Sequence, residues 1–445
     1  MTAGQLTAAS HALLSARGAE LLGRHDPELS VLLDREVRYQ NEVLPLMAYA
    51  SIADPAVLSA AGSALGNVTA EGYPGSRYHT GAAQFDEVER LAMDRAIAAF
   101  GARYANVQPH SGSSANLTVL FSLLVPGDTI LGLNLASGGH LTHGSSASVT
   151  GRYFNAVHYG LDQHGVIDYE QLAKLAEQHR PKVIIAGASA YPRAIDYVRF
   201  REVADSVGAY LLADISHIAG LVAAGVHPSP IDVAHVTTTS TYKQLGGPRG
   251  GLILLGKACD ETRLASLMQR GVFPRFQGTP NASAIAAKAA ALRLVNTPEF
   301  TEHAHRIVAN ARVLADGLIR RGYRVQSGGT DNHMVLVSTL DRGLTGAVAE
   351  SALLSCGILS NRNQIAGDTK PPTVASGVRL GTTILTQRGF GPAELDQCAE
   401  LFTQVLGAVV AMGDTDYTLD PELGTVIGDR VADLAGRFPI ASYLG

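Results

Sequence analysis

The sequence predicts an α/β fold, with a mainly parallel β-sheet in a large domain and a smaller α+β domain toward the C-terminus. Two observations lead to this prediction. Short apolar runs recur from residue 105 onward, and segments of helical periodicity separate them. Such runs are typical of strands buried on both faces of a parallel sheet and joined by crossover helices. After about residue 290 the pattern changes to long helices followed by a few shorter strands.

The predicted strands of the large domain alternate with helices. Tyr210–Ala213 and the neighbouring apolar runs are short enough for strands, and they are flanked by turn residues. We predict strands over Thr129–Leu135, Val183–Ala188, Tyr210–Ala213, His235–Thr239 and Gly251–Leu255, and helices over Tyr169–His179 and Phe200–Val207. Ligands in sheets of this kind bind beyond the carboxyl ends of the strands.

One lysine and one aspartate fall at such strand ends. Lys243 follows a run of small hydroxyl residues and precedes a glycine-rich turn, and Asp214 follows the predicted strand Tyr210–Ala213. Pyridoxal phosphate (PLP) chemistry needs a lysine amine that attaches to the cofactor aldehyde. It also needs a carboxylate that keeps the pyridine nitrogen protonated. The two residues therefore predict a PLP site.

Three regions are predicted along the chain. Residues 1–60 are rich in alanine and leucine and predict an N-terminal helical arm, residues 61–290 predict the large PLP-binding domain, and residues 291–445 predict the small C-terminal domain. Long helices are predicted over 281–322, with a break near Thr297–Pro298. In the small domain we predict strands over Met334–Val337 and Gly377–Leu380 and a helix over Pro392–Val410.

The composition excludes some classes of protein. Of the 445 residues, 46% are hydrophobic and 17% are charged, with a formal net charge of −5, which is the balance of a globular enzyme. Without a long basic run, a nucleic-acid partner is not expected. We see neither a signal peptide nor an apolar run of membrane-spanning length, so we expect a cytoplasmic protein with no membrane partner.

The spacing of the cysteines also favours a cytoplasmic location. Cys259, Cys356 and Cys398 lie far apart and form no CxxC pair. This spacing fits a reducing compartment. We expect each of the three to pack in the core as a small apolar residue.

The order of the motifs resembles the serine hydroxymethyltransferase family of fold-type I (aspartate aminotransferase-like) PLP-dependent transferases. The resemblance extends from about residue 40 to residue 440. The matching segments are Glu71–Gly75, Ala105–Ser113, Gly138–Gly144, Asp214–Gly220, Gly247–Gly251 and Ser327–His333. The resemblance implies a PLP cofactor, tetrahydrofolate as a possible co-substrate, and a homodimer or tetramer. In such a dimer the neighbour would donate Gly278 and the Glu71–His79 segment.

The resemblance also implies the catalytic residues and the cofactor site. The implied catalytic residues are Lys243, Asp214, Glu71 and His140. Glu71 would act as acid or base near the substrate β-hydroxyl, and His140 would stack on the pyridine ring. The residues implied around the cofactor are Gly112, Ser113, Ser114, His140, Ser189, Asp214, His217, Ser240, Lys243, Arg249 and Gly278. The serines before the apolar helix suit a phosphate at a helix N-terminus, although a simple helix cap fits the same residues. His217 could equally be a hydrogen-bonded core histidine, and Ser189 could be a cap.

Substrate contacts are implied in the same way. Arg379 matches the arginine that binds the amino-acid carboxylate, for which a guanidinium fork is suited. The full set of implied substrate residues is Tyr49, Thr69, Tyr78, His79, Leu135, Leu141, Asn363 and Arg379. Leu135 and Leu141 match folate contacts of the family, but leucines at these positions could also belong to the core.

The departures from the family pattern cluster at the substrate. Tyr49 replaces a carboxylate-binding serine, and Tyr242 replaces the histidine before the lysine. The other departures are Thr69 and His79 in place of tyrosines, Ser240 in place of a threonine, and Arg275–Thr279 in place of a Gly-Gly-Gln-Gly-Gly loop. The PLP residues are retained while the pocket is changed, which indicates a specialised relative.

Several functions remain open at this point. One is serine–glycine interconversion with folate, and a second is a hydroxymethyltransferase for an α-substituted amino acid such as α-methylserine. A third is a folate-independent L-threonine aldolase or transaldolase of specialised metabolism. A metal-dependent hydrolase using His140, His143, Asp214 and His217 is an alternative of another class, and we expect no metal. A non-catalytic protein of the same fold is disfavoured by Lys243, Asp214 and Arg379 together.

Overall fold

The computed structural model describes residues 9–258 and 261–441 and confirms the α/β fold. A seven-stranded sheet forms its centre, with the order β1-β7-β6-β5-β4-β2-β3. Strand β7 is antiparallel to both of its neighbours, and the remaining pairs are parallel. The strands are β1 Tyr104–Asn106, β2 Thr129–Leu133, β3 Asn155–Tyr159, β4 Val183–Gly187, β5 Tyr210–Asp214, β6 Val236–Ser240 and β7 Gly251–Leu255.

Helices lie around the central sheet and connect most of its strands, and further helices lie in the N- and C-terminal parts of the chain. In chain order they are α1 Ala9–His25, α2 Pro27–Glu42, α3 Pro55–Ala61, α4 Ala83–Phe100, α5 Gly112–Leu123, α6 Val149–Tyr153, α7 Tyr169–His179, α8 Tyr197–Val207, α9 Ala219–Ala223, α10 Glu261–Arg270, α11 Ala282–Val295, α12 Pro298–Arg320, α13 Gly346–Ser355, α14 Thr383–Gln387, α15 Pro392–Ala408 and α16 Pro421–Gly436.

The central sheet is buried on both faces, as its apolar strands predict. Leu211 and Ala213 of β5 pack in one hydrophobic cluster, with helices α4, α7, α8 and α11. Leu212, which lies between them, packs in a second cluster with α5 and α10. Successive side chains of a strand point to opposite faces, so helices cover both sides of the sheet.

Most predicted elements lie within a few residues of the observed ones, and one strand is shorter than predicted. Strand β2 ends at Leu133, not at Leu135. The Asn134 side chain accepts a hydrogen bond of 2.9 Å from the Ala136 N–H and starts a short 3-10 turn. An asparagine that bonds its own backbone in this way competes with strand pairing.

A smaller antiparallel sheet forms in the C-terminal part of the chain. Its strands are β8 Met334–Ser338, β9 Asn361–Asn363 and β10 Gly377–Gly381, in the order β8-β10-β9. Its core includes residues of α12, α13, α15 and α16. Cys356 and Cys398 are buried in this core, as predicted, and Cys259 lies outside the described residues.

The N-terminal residues divide among three environments. Helix α2 buries none of its residues, and leucines of α1 and α2 such as Leu13 and Leu32 are more than half exposed. Leu44–Pro45 pairs in parallel with Ile358–Leu359, next to the small sheet. Val57 of α3 packs against helix α11. Within the described part of the chain, none of the helices combines the length and the apolar character needed to cross a membrane.

Candidate active site

A cavity of about 210 Å³ lies where β4, β5 and β6 end, which is where the sequence placed the ligand site. It is lined by His110, Ser111, Gly112, Ser113, His140, Ala188, Ser189, Asp214, Ser216, His217, Ser240, Tyr242, Lys243 and Arg249. Most of the predicted cofactor residues therefore line this one cavity, and we call this set of lining residues the cofactor wall. Ser114 and Gly278 are not among the lining residues.

Asp214, the last residue of β5, is held by hydrogen bonds on both carboxylate oxygens. Oδ1 accepts from the backbone N–H and the hydroxyl of Ser216 at 3.0 and 2.6 Å. Oδ2 accepts from Asn116 at 2.7 Å and pairs with His143 Nε2 at 3.1 Å. Burial opposes ionisation of this carboxyl, but the hydrogen bonds from His143 and Ser216 hold its pKa well below the usual range. Asp214 is thus a buried, ionised carboxylate that can pair with a cationic group of a ligand.

His143 connects Asp214 to the loop that carries His140. Its Nδ1 lies 3.4 Å from the backbone N–H of His140, which leaves Nε2 to donate to Asp214. His140 Nδ1 lies 2.7 Å from the hydroxyl of Thr142, and burial lowers the pKa of His140 to about 4. His140 therefore presents a neutral ring to the cavity, which can stack on an aromatic ligand.

The same groups are close enough to be considered for a metal. Ligand atoms of His140, His143 and Asp214 lie within 4.8 Å of one another. His143 Nε2 already pairs with Asp214 Oδ2, and His140 Nδ1 pairs with the Thr142 hydroxyl. A metal ion would have to replace these bonds, whereas a pyridinium nitrogen needs only one carboxylate oxygen.

The loop before helix α5 forms the other end of the cavity. Ser111 caps the helix by accepting from Ser114 N–H at 3.0 Å, and the Ser114 hydroxyl accepts from Ser111 N–H at 2.7 Å. Ser114 therefore serves the helix cap, while Gly112 and Ser113 line the cavity. A Cβ on Gly112 would lie 3.1 Å from the Cβ of Ser240. The loop packs closely against β6 because this residue is glycine.

Lys243 lines the cavity together with Tyr242 and Arg249. It is 7% exposed, and burial lowers the pKa of its amine to about 8, with Asp214 opposing this shift. Its Nζ lies 5.8 Å from the centre of the Tyr242 ring, and the Arg249 guanidinium lies 4.2 Å from the same centre. A fraction of the amine is therefore neutral near neutral pH, which is the nucleophilic form.

Two alternatives left open for the cavity wall can be judged from hydrogen bonds. His217 Nδ1 is buried and has no hydrogen-bond partner among the described residues, so His217 is not a satisfied core histidine. Burial and the positive charges of Lys243 and Arg379 lower its pKa well below the usual range. Ser189 follows β4, and its backbone N–H donates to Gly138 at 2.7 Å. Its side chain caps none of the described helices.

Arg379 of β10 connects the small sheet to Ser189 of the cavity lining. It is 8% exposed, and burial lowers its pKa to about 10. Its guanidinium donates to the backbone carbonyl of Ser189 and to Asn361 Oδ1, the latter at 3.1 Å. It lies 5.7 Å from the centre of the Tyr49 ring. Burial raises the pKa of Tyr49, so this residue faces Arg379 as a neutral phenol.

A second cavity of about 270 Å³ adjoins the first and shares His140 and Ser189 with it. Its lining includes four of the predicted substrate residues, which are Leu135, Leu141, Asn363 and Arg379. Leu135 is 39% exposed and Leu141 is 48% exposed, so the alternative that they belong to the core is wrong.

The Glu71–His79 segment forms a hairpin that does not line either cavity. Glu71 lies 3.8 Å from His79, and a Cβ on Gly278 would lie 3.2 Å from Glu71. Tyr78 is 76% exposed and packs edge-on against Phe273 at 5.5 Å. Thr69, just before the hairpin, is exposed. The structure therefore gathers Glu71, Tyr78, His79 and Gly278 in a second place, apart from Lys243.

Sequence reasoning missed the residues that hold Asp214. Asn116, Thr142 and Ser216 were not predicted, and His143 was considered only as a metal ligand. Asn116 also accepts from the Thr238 hydroxyl at 2.5 Å, so it connects α5 to β6. Its polar side chain in the otherwise apolar stretch that follows Ser114 was the available signal.

Comparison with known proteins identifies the family. The sequence pattern of the family described as "Serine hydroxymethyltransferase" matches residues 22–402. The chain is 53% identical over 383 residues to a serine hydroxymethyltransferase of Alkalilimnicola ehrlichii, covering 86% of this chain and 90% of the relative. It is 48% identical over 422 residues to a serine hydroxymethyltransferase of Methylorubrum extorquens, covering 94% and 95%. The chain belongs to the serine hydroxymethyltransferase family, whose members are PLP-dependent transferases with tetrahydrofolate as co-substrate.

Proposed function

We propose that this enzyme breaks and makes the Cα–Cβ bond of a β-hydroxy-α-amino acid, with a pocket changed toward an α-substituted substrate such as α-methylserine. The observation that carries the proposal is the contrast between a retained cofactor wall and Tyr49 beside Arg379. In the family pattern a serine occupies the position of Tyr49. A phenol in contact with the carboxylate-binding arginine changes the shape of the substrate site without touching the cofactor wall.

The cavity fits PLP in the chemistry of its donors. Asp214 offers a buried carboxylate to a pyridinium nitrogen, and His140 offers a neutral ring face. The unpaired Nδ1 of His217 is available to a polar atom of the ligand. Gly112 and Ser113 place backbone N–H groups at the N-terminus of α5, which suits a phosphate. PLP, when bound, supplies an electron sink for the electrons of the broken Cα bond.

The protein residues would divide the work among binding, orientation and proton transfer. Lys243 would hold the cofactor through its amine and give up that position to the amino group of the substrate. Arg379 would bind the substrate carboxylate through its fork of N–H donors and so fix which Cα bond breaks. Glu71 would take the proton of the β-hydroxyl group as the Cα–Cβ bond breaks.

This role for Glu71 implies a homodimer, in which the hairpin of one subunit enters the site of the other. The exposed Tyr78 and the separation of the hairpin from both cavities support this arrangement. The exposed leucines of α1 and α2 supply apolar surface for the same contact. The family's usual location and the absence of a membrane-spanning helix in the described residues support a cytoplasmic enzyme.

The second cavity supports tetrahydrofolate as the one-carbon acceptor. Leu135 and Leu141 present exposed apolar side chains to it, and Asn363 adds an amide. Arg362 and Gln364 add further polar groups to the lining, and a cavity with both apolar and polar side chains suits a ligand that carries an aromatic ring and polar atoms.

A folate-independent threonine aldolase or transaldolase is the second candidate. The observation that favours it is the changed loop at Arg275–Thr279, where the Phe276 ring packs against Phe121 at 5.5 Å. The family has glycines and glutamine there, so this chain carries an aromatic side chain in the loop of Gly278, which by resemblance reaches the cofactor phosphate of the partner subunit. In this candidate a second aldehyde takes the place of folate.

A substrate screen with purified holoenzyme tests the proposal. Serine, threonine and α-methylserine are each supplied with and without tetrahydrofolate, and amino-acid products are measured. We expect cleavage of the hydroxymethyl group to need folate, with the highest kcat/KM for α-methylserine. Threonine turnover with an added aldehyde and no folate would establish the second candidate instead. A preference for serine would exclude a pocket specialised for α-substituted substrates, and serine–glycine interconversion would then be the function.

A further inference from the structure

Lys288 is a buried lysine that the steps above do not use. It lies in α11 and is 2% exposed. Its ammonium donates to the backbone carbonyls of Val107 at 2.5 Å, Pro109 at 3.0 Å and Gly251 at 3.1 Å. An ammonium has three N–H donors, so each donor has one carbonyl. In its charged form Lys288 is therefore held by three neutral carbonyls of the described residues.

These carbonyls come from two segments that meet beside the cofactor cavity. Val107 and Pro109 lie between β1 and Ser111, on the loop that leads into the N-terminus of α5. Gly251 begins β7, shortly after Arg249 of the cavity wall. The N–H of Gly251 also donates to the Pro109 carbonyl at 2.9 Å. Lys288 thus connects the loop before α5 to the start of β7.

The lysine also contacts the segment that leads to Lys243. A Cβ on Gly250 would lie 2.2 Å from Cε of Lys288 and 3.0 Å from the Thr241 hydroxyl. The Thr241 N–H donates to the Gly250 carbonyl at 3.0 Å. Thr241 lies two residues before Lys243 in the chain. Lys288 therefore supports the segment that leads to Lys243 as well as the loop before α5.

The charge of Lys288 reaches the cavity wall. After burial, this charge is the next largest cause of the lowered pKa of His110, which lines the cavity. Burial lowers the pKa of Lys288 itself to about 7, and Glu89 opposes this shift. A phosphate near the loop would favour the charged form of the lysine. A cation behind a helix N-terminus adds to the attraction of that terminus for an anion.

We propose that Lys288 is a positioning residue for the phosphate of the cofactor. It holds the loop before α5 in the conformation that offers the N–H groups of Gly112 and Ser113, and it adds positive charge behind them. Lys288 does not line the cavity, so it acts through this loop and not as a ligand. This inference rests on the proposed PLP site.

The substitution Lys288→Met tests the inference, because it keeps much of the side-chain length and removes the charge and the donors. Apoprotein of wild type and variant is titrated with PLP and with pyridoxal, which lacks the phosphate, and visible absorbance is followed. We expect the Kd for PLP to rise about 10-fold or more, as for a lost hydrogen bond to a charged group. The Kd for pyridoxal should change less than about threefold, since no phosphate contact is involved. An unchanged Kd for PLP, or equal losses for both ligands, would overturn the inference.

Two further variants keep the test decisive. Lys257 is an exposed lysine paired with Asp232 at 2.8 Å, so Lys257→Met should bind both ligands as the wild type does. If Lys288→Met does not fold, Lys288→Gln replaces it, with the same expected loss of preference for PLP over pyridoxal. A wild type that shows no absorbance change with PLP would overturn the PLP site itself. A wild type that binds PLP beside an unaffected variant would overturn the role of Lys288 alone.

Discussion

Asp214 of the cofactor wall and Glu71 of the Glu71–His79 hairpin are both carboxylates, but they differ in how far the fold satisfies their charge. Asp214 is 6% exposed and accepts hydrogen bonds from Asn116 and Ser216 while it pairs with His143. The Glu71 side chain is 37% exposed and has His79 at 3.8 Å as its ion-pair partner. A buried charge must be satisfied within the fold, whereas an exposed carboxylate remains available to a substrate or to a second subunit. We infer that one chain completes the cofactor half of the site and that a second copy completes the substrate half.

The largest expected effect concerns the cofactor half. Lys243→Ala should lower kcat by about three orders of magnitude or more, because the nucleophilic amine has no substitute in the wall. The visible absorbance of covalently held PLP should also be lost. Lys257→Ala, at an exposed lysine, should keep both kcat and the absorbance band. A Lys243→Ala enzyme with the wild-type spectrum and turnover would refute the assignment of the cofactor half.

The next effect lies where the two halves meet. Arg379→Lys should lower kcat/KM for the amino acid about 100-fold, since an ammonium cannot bind a carboxylate bidentately as the fork does. The loss should appear mainly in KM, and steady-state kinetics at several substrate concentrations measure it. Arg324→Lys is a control at an exposed arginine paired with Asp341 at 3.2 Å. A KM unchanged by Arg379→Lys would remove Arg379 from the substrate site.

A smaller effect is expected from His143→Leu, which removes one donor to Asp214. The pKa of Asp214 should rise, and kcat/KM should fall about 10- to 100-fold, the range for a hydrogen bond to a charged group. The folded-state pKa of Asp214 is lowered, so its ionisation stabilises the fold above the unfolded value of 3.8 and this contribution is lost as pH falls.

The pH at which acid unfolds the variant should therefore be higher than for wild type. Circular dichroism measured between neutral and acidic pH follows this shift, with His164→Leu as the control at an exposed histidine. An acid midpoint equal to that of wild type would mean that His143 does not stabilise the carboxylate.

The smallest effect concerns specificity. Tyr49→Ser restores the family residue beside Arg379 and should leave PLP binding unchanged. The ratio of kcat/KM for serine to that for α-methylserine should rise by a few-fold up to about 10-fold, the range for shape changes in a pocket. Competition between the two substrates in one reaction measures this ratio directly. An unchanged ratio would mean that Tyr49 does not set the substrate preference.

The sequence was sufficient for the sheet and for most of the cofactor wall. Apolar runs such as Val183–Gly187 mark buried strands, and Asp214 and Lys243 follow strands, so the known location of ligands in parallel sheets placed them together. The roles of His143 and Lys288 could not be predicted, because their partners come from distant parts of the chain. Hydrogen bonds across such separations depend on packing and leave no local pattern.

The hairpin shows the same limit from the other direction. Its residues were predicted from family resemblance, but one chain does not bring Glu71 to Lys243. A site shared between subunits cannot be recognised from local spacing. The exposure of Tyr78 and Leu32 depends on how the whole chain packs, so no local sequence pattern predicts it.

The central claim is tested most directly with a mixed dimer of Lys243→Ala and Glu71→Gln subunits, carrying different tags and purified as the heterodimer. If the partner donates Glu71, one of the two sites combines the intact Lys243 of one subunit with the intact Glu71 of the other. The heterodimer should then show about half of the wild-type kcat per dimer, since one intact site of two is restored, while both parent homodimers stay nearly inactive. A heterodimer no more active than its parents would mean that each chain supplies both halves of its own site, which contradicts the account.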